Sequence, residues 1–411
     1  MQYDFDGLLS GNGLPGIPTA TNPNHLVSPP GWYPIRQGDD LSNSLYDAQH
    51  PLHGLQTLVP ESEVTTLFLE GEYELTDNVT AYSEVLLNRR ETDYQGYLQI
   101  WSYVYNYDSK DLGWGSDPFS VGWEGAQWLS PLSVTDHYRQ RLTVDYGRVV
   151  AGLKGEMDTF MSGWNWDLSF QYSDSDGEYE DDVVLNDALT ETFWRTGSCV
   201  GTTTSISNRS CVDIPWMDPE FLRGNIPQEV QDFLYDTDVG GTEYKQWSTE
   251  GFMSGDIFEM PAGSAAVAVG FHYREDEIRD VPGPIIQAGN AWQFGTGGVT
   301  TGKSDTSAIF AEIDVPLLAN VPGAHYLDFN ASVRYTDVSA DDAGLKYEAD
   351  DTTYKVGMNW AITETFRARS TYGTSFRTPA LFELFLSNES SFLSARAADP
   401  CINWATRPDI S

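Results

Sequence analysis

The sequence predicts an all-β protein: an antiparallel, membrane-spanning wall of about ten or eleven strands, with long loops at one end and short turns at the other. Three observations predict it. Hydrophobic residues recur with a period of two along most of the chain, which is the period of a strand and not of a helix. Short and long connections alternate. No run of about 18 apolar residues occurs, so no transmembrane helix competes with the strands.

The clearest stretch is WNWDLSFQYSD (164–174). Trp164, Trp166, Leu168, Phe170 and Tyr172 share one face, and Asn165, Asp167, Ser169, Gln171 and Ser173 share the other. The same reading serves the other segments in chain order. TLFLEGEY (66–73) sets Leu67, Leu69 and Tyr73 against Glu70 and Glu72, with Phe68 out of pattern. AAVAVGFHYRE (265–275) sets Val267, Val269, Phe271 and Tyr273 against Ala268, Gly270, His272 and Arg274. LDFNASVRYTD (327–337) sets Leu327, Phe329, Ala331, Val333 and Tyr335 against Asp328, Asn330, Ser332, Arg334 and Thr336. TYKVGMNW (353–360) and FRARSTYG (366–373) continue the alternation, the second placing Arg367 and Arg369 opposite Phe366, Ala368 and Tyr372.

The links decide what the apolar face touches. Those near residues 73–79, 257–265, 315–326 and 360–366 are short, whereas 7–64, 91–137, 174–244 and 276–303 are long and 337–351 is modest. Loops beyond about 12–15 residues are uncommon inside compact domains, so several on one end need a reason. A transmembrane barrel supplies one, with short periplasmic turns and long extracellular loops. Each strand then needs about 9–11 alternating residues to cross the bilayer at a tilt. The apolar face is expected to touch lipid. The polar face, with Asp167, Asp328, Arg334, Arg367 and Arg369, is expected to line a wet lumen. The rival reading is a soluble all-β protein with those residues facing solvent.

Composition agrees with strands: Tyr (22), Phe (19), Trp (13) and Gly (37) are abundant. Lys and Arg total 23 against 61 Asp and Glu, a net charge of −38, which excludes a nucleic-acid binder because no basic footprint exists to neutralise phosphates. Met1 is followed by QYDFDGLLSG, without the charged start and apolar segment of a secretory leader. The expectation is a chain that starts inside a longer one, or a cytoplasmic protein. Cys199 and Cys211 bracket a polar loop suited to a local disulfide, which points to an oxidising compartment. Cys401 is left over.

Several motifs dissolve on inspection. GNGLPG (11–16) is a literal G-x-G-x-x-G, yet the prolines after it forbid the helix that a dinucleotide site needs. DSDGEYEDD (174–182) offers closely spaced carboxylates, but its glycine is too early for a calcium loop, and a solvated acidic loop is the expectation. Of His25, His50, His53, His137, His272 and His325, only His50 and His53 are close, and nothing completes a zinc site. GTSFR (373–377) lacks the second glycine of a nucleophile elbow. Pairs such as Asp341 with Asp342 carry little information in so acidic a chain. No enzyme activity, metal or cofactor is expected. Trp32, Tyr33, Trp114, Trp123, Trp128, Trp194, Trp216 and Trp292 fall in the long loops, where at least half are expected to pack the loops and the rest to stack on a ligand.

TYGTSFRTPALFELF (371–385) resembles the S-F-R-x-P core and following E-L-F of TonB-dependent outer-membrane receptors. MPAGSAAVAVGFHYRE (260–275) resembles their P-A-G turn and the strand ending in Y-R. AEIDVPLLANVPG (311–323) resembles their V-P-L-L turn, DFNASVRYTD the strand after it, and DTTYKVGMNW the strand preceding the S-F-R-x-P segment. The ordered set covers about 260–385, and FLEGEYELTDNVTAYSEVLLNRRE (68–91) extends it. The resemblance implies a barrel of about 22 strands filled by a plug, in the Gram-negative outer membrane. It implies uptake of a scarce nutrient, a ferric siderophore by family default, with energy delivered by TonB through the plug.

On that basis residues 1–411 read as a partial barrel domain without plug or final strands, unable to insert or transport alone. The candidate ligand or lumenal residues are Arg334, Arg367, Arg369, Arg377, Trp123, Trp128 and Trp292. Expected partners are the TonB complex, outer-membrane lipid and a small-molecule ligand, with glycans and cobalamin-like molecules as competitors to the siderophore. A secreted carbohydrate-binding or carbohydrate-active all-β protein is the alternative, and a passive porin-like channel a weaker third.

Overall fold

The computed structural model describes residues 56–105, 128–129, 131–157, 163–195, 197–216, 218–222, 224–342, 344–387 and 389–390, together with 2–3, 32–33 and 54. Ten strands form one antiparallel meander: β1 (Glu61–Thr76), β2 (Val79–Gln95), β3 (Arg139–Met157), β4 (Trp164–Val184), β5 (Tyr235–Met260), β6 (Gly263–Val281), β7 (Thr300–Val321), β8 (Ala324–Asp342), β9 (Leu345–Ala361) and β10 (Arg367–Gly373). Each pairs with its neighbours in chain order. Links 77–78, 158–163, 261–262, 322–323 and 362–366 close one end; 96–138, 185–234, 282–299 and 343–344 close the other. At 322–323 the turn is Pro-Gly, with Gly323 at φ +82, a conformation that glycine adopts without strain.

The alternation of links is as expected, but the strands are taller. β4 has 21 residues and β5 has 26, so DSDGEYEDD lies inside β4 and not in a loop. The modest loop expected at 337–351 shrinks to 343–344. The register supplies the reason. Asp174, Lys245, Glu277, Lys303, Asp341 and Lys346 stand directly opposite one another across β4 to β9, alternating in sign at every step. Lys303 reaches Glu277 at 2.9 Å. Opposed unlike charges stabilise a strand pair as apolar pairs do, by roughly 0.2–1 kcal/mol each, so pairing continues where hydrophobic alternation stops.

Burial is inverted relative to a soluble sheet. Leu168, Phe170 and Tyr172 are 44, 48 and 42% exposed, and Ile309 on β7 is 62% exposed. On the opposite face Ser173 and Asp328 are 6 and 5% exposed. The apolar side chains therefore form a continuous open surface, and the polar ones are shielded. Such a surface far exceeds what a monomer leaves in water.

The aromatic residues on the apolar face fix the slant of the strands. Tyr172 is level with Glu348 through the pairings Tyr172, Trp247, Glu275, Asp305, Ser339, Glu348. Along these strands Tyr273, Tyr335 and Tyr354 lie two, four and six residues below that level, and Tyr372 pairs with Val356, eight below Glu348. A drop of eight residues over six strand steps, at about 3.3 Å per residue and ~4.8 Å per step, gives a slant of about 43°. If these rings mark one horizontal interface, that slant is the strand tilt, and it falls within the 35–45° range of membrane barrels.

The main buried core lies in the loops. The described residues of 96–138, 185–234 and 282–299 build a cap that includes two short ribbons, such as Leu98–Trp101 paired with Leu132–Thr135, and helices α1 (Asn186–Thr190), α2 (Pro219–Leu222), α3 (Gln228–Leu234) and α4 (Pro284–Gln287). Leu185, Leu189, Phe221, Leu222, Val230 and Leu234 are almost wholly buried there. Each is worth about 1.5–3 kcal/mol of burial, which offsets the entropy of ordering these long connections.

Candidate functional site

Alternation carries every second side chain of the sheet onto the polar face, and many charges there are tied to partners on the same or a nearby strand. Lys154 pairs with Glu72 at 2.5 Å and Arg148 with Glu84 at 2.6 Å. Tyr82 donates to Asp167 at 2.8 Å, and its ring lies over Gly152, where any side chain would overlap it. Asp276 binds Arg274 at 2.7 Å and accepts from Tyr244 and Gln246, both at 2.8 Å. His272 stands 3.2 Å from Glu250, and Asn359 donates to Asp328 at 2.7 Å.

One patch combines apolar groups with a cation. The Phe310 ring and the Cβ of Phe252 flank Gly270, and the Arg334 guanidinium lies 5.7 Å above the Phe310 ring. Phe252 is 40% exposed. This patch sets two phenylalanines beside a cation on the polar face, a combination that accepts aromatic or anionic groups.

The long-loop end of this face is partly covered by the chain itself. After β10, residues 374–387 run back across the sheet to β7 and contain α5 (Leu381–Phe385). Leu381 and Phe385 are buried against Ile278 and Ala340, with Tyr244 and Tyr347 beside them. The Phe385 ring occupies the space over Gly302. Thr374 N–H donates to Tyr354 O at 2.9 Å, and Ser387 N–H to Thr300 Oγ1 at 3.2 Å, fixing both ends.

The cap stands over the same end. Its centre is Asp187, which accepts from Ile206 N–H (2.8 Å), Ser207 N–H (2.7 Å), Ser207 Oγ (3.1 Å) and Asn290 Nδ2 (2.9 Å). Burial alone would raise its pKa, but these hydrogen bonds together outweigh it and hold the carboxyl below its usual range. The Cys199–Cys211 disulfide closes the loop that Asp187 grips, with Cα atoms 5.7 Å apart.

The sequence-derived candidates separate by place. Arg334 is on the polar face of β8, and Arg367 and Arg369 share that face on β10, opposite Ala361 and Asn359. Arg377 sits on the returning segment and forks onto both Glu383 oxygens at 2.8 Å. Trp292 packs into the cap: its indole donates to Gln99 O at 3.1 Å, and its ring meets Trp101 edge-on at 4.7 Å. Trp216 packs on Phe221 in the same core. Trp128 lies in a two-residue ribbon strand paired with Val104–Tyr105. Trp123, Trp114, Cys401, GNGLPG, His25, His50 and His53 lie outside the described residues. Sequence reading missed the Asp187 node and the helical return of 374–387, because neither carries a period that distinguishes it from an ordinary loop. Among the described residues no group of three or more His, Cys, Asp or Glu is placed to hold a metal ion, and no helix is long and apolar enough to cross a membrane.

Residues 77–406 match the family described as TonB-dependent receptor-like, β-barrel. Two solved structures are similar, both of the ferric-catecholate import receptor Fiu from E. coli K12. The closed form is 11% identical, with a TM-score of 0.36 over 82% of this chain and 52% of that one. The open form is 10% identical, with a TM-score of 0.35 over 78% and 54%. The chain spans about half the length of either. No curated protein sequence matches it significantly.

Proposed function

Since the chain belongs to the TonB-dependent receptor β-barrel family, we propose that its ten strands are part of the wall of an outer-membrane importer of a scarce nutrient. The observation that carries this reading is the inverted burial: an open apolar face ending in a tilted aromatic row, with charges tied on the opposite face. Among the described residues β1 and β10 each leave one edge unpaired, and lipid does not tolerate free backbone groups, so further strands complete the barrel in this reading. A plug would fill the lumen and meet TonB. The chain acts by binding and gated passage and not by chemistry. The ligand enters between the cap and the polar face. Its class is a ferric siderophore, with glycans or corrins as the competing cargo. The aromatic and cationic patch at Phe252, Phe310 and Arg334 supports an aromatic or anionic ligand.

Uptake tests this. Cells lacking the gene, and cells lacking TonB, should both lose uptake of one labelled ferric siderophore, and the protein should fractionate with the outer membrane. Unchanged uptake across siderophore, glycan and corrin panels, with the protein monomeric in water without detergent, would sink the proposal in favour of a soluble carbohydrate-binding protein.

A further inference from the structure

The upper half of β9 has an edge that its neighbour does not cover. β10 pairs with β9 only from Lys355 opposite Gly373 to Ala361 opposite Arg367. Tyr354 and Tyr372 belong to the aromatic row, so β10 stops where the wall leaves the lipid. β9 continues upward to Leu345, paired among the described residues to β8 alone. Thr374 turns the chain away: its N–H donates to Tyr354 O at 2.9 Å, and its Oγ1 accepts from Tyr354 N–H at 3.1 Å. Beyond it, α5 draws 374–387 onto the polar face, and Pro379 has no N–H to offer a ladder. A further strand would pair with the other edge of β10, which leaves a notch one strand wide beside β9.

The side of that notch is a template for another strand. Tyr354 turns its N–H and C=O toward β10. Backbone direction alternates along a strand, so Lys346, Glu348, Asp350 and Thr352 turn theirs toward the notch. The Thr352 N–H is taken by Asp351 Oδ1 at 2.7 Å. Side chains set the charge of this edge. Glu348, Asp350 and Asp351 are exposed, and on β8 they face Ser339, Asp337 and Thr336, so β8 places no cation opposite any of them. Lys346, the one cation here, is already opposite Asp341. The notch therefore offers unshared backbone groups beside carboxylates that the opposing strand does not neutralise.

We propose that the notch takes up one extended segment of a second protein, added to β9 as a strand, with lysine or arginine opposite Glu348 and Asp350. Backbone hydrogen bonds hold the segment, and charge selects it. A second copy of the same edge would set carboxylates against carboxylates, which the pairing rule disfavours. The inference rests on the barrel reading above, since only a closed wall keeps the notch to the width of one strand.

The probe is a short peptide alternating lysine and valine, added to the protein extracted in detergent and followed by amide hydrogen exchange. The amides of Lys346, Glu348 and Asp350 should exchange rapidly in the free protein and become protected with the peptide. Those of Tyr347 and Ala349, already turned to β8, should not change. A peptide alternating glutamate and valine should bind about tenfold more weakly. One alternating lysine and proline keeps the charge but cannot donate to the ladder, and it should give no protection. Glu348→Pro removes an N–H from the open edge and none from the β8 ladder, so it should abolish binding and leave exchange at Lys355–Ala361 unchanged. Protection of the three amides without peptide would mean that the chain fills the notch itself, and would overturn the proposal. So would no protection at saturating peptide, equal binding of the glutamate peptide, protection by the proline peptide, or an unaffected Glu348→Pro variant. Exchange at Lys355–Ala361 reads the wall independently. If those amides are protected and the notch does not respond, only the notch fails; if they exchange rapidly as well, the wall falls with it.

Discussion

Asp187 shows how one side chain can hold two connections together. Its carboxylate takes hydrogen bonds from the 204–209 turn and from Asn290, and Asn290 Oδ1 in turn accepts the Asp187 N–H at 2.8 Å. Replacing it with Asn exchanges an acceptor-only group for one that must point two donors at donors. Asp187→Asn should destabilise the cap by about 1–3 kcal/mol, the cost of leaving buried donors unsatisfied. The sign of the pH effect follows from the depressed pKa. The contribution is complete above the unfolded value of about 3.9 and is lost as pH falls through the lower folded value. Cap unfolding, followed by tryptophan fluorescence, should therefore turn acid-sensitive below about pH 4 in the parent protein and lose that step in Asp187→Asn. A variant with the same acid profile as the parent would remove Asp187 from this role.

At the scale of single strands, face is what matters. Phe170 and Ser169 are neighbours in β4 on opposite faces. Phe170→Arg should cost about 2–4 kcal/mol in membrane-inserted stability, and Ser169→Arg under about 1 kcal/mol, measured by denaturant unfolding in lipid. Equal costs would mean that both faces meet water. This facing was legible in WNWDLSFQYSD and LDFNASVRYTD, because lipid on one side and polar contacts on the other impose a strict period of two. The upper halves of the strands were not legible. YEDD in β4 and REDE in β6 are polar on both faces, so no hydrophobic period remains; Glu180 meets Arg141 and Glu277 meets Lys245 and Lys303, whereas Asp181 faces Asp238 and Glu275 faces Asp305, so the backbone ladder itself continues these strands. The same limit applies to the site. Arg334, Arg367 and Arg369 could be assigned a face from the pattern, whereas Trp292 and Arg377 could not be assigned a partner, since their neighbours come from other loops.

The whole sheet has two unequal boundaries. β4 to β8 are paired on both sides through their lower halves, while β1 has 16 residues and, among the described residues, one open edge. Hydrogen exchange on the detergent-extracted protein should find the lower halves of β4 to β8 protected to the global limit. In a closed barrel β1 and β10 are protected as well; rapid exchange confined to those two strands would mean that no further strands join there.

The height of β5 has a consequence for what the outside world meets. From Trp247 at the aromatic row to Tyr235 at the cap is twelve residues, about 40 Å of strand and, at the slant found above, about 30 Å of vertical rise. That is several times the ~8 Å Debye length of physiological saline, so charges on the cap act without reference to those at the lipid surface. In the outer-membrane orientation proposed above, a particle or antibody approaching the cell would meet the cap, which holds the disulfide-closed turn at 199–211, before the lipid-level wall. Surface variation that evades such visitors is therefore expected in the cap, on a pedestal whose charge ladder does not have to change with it.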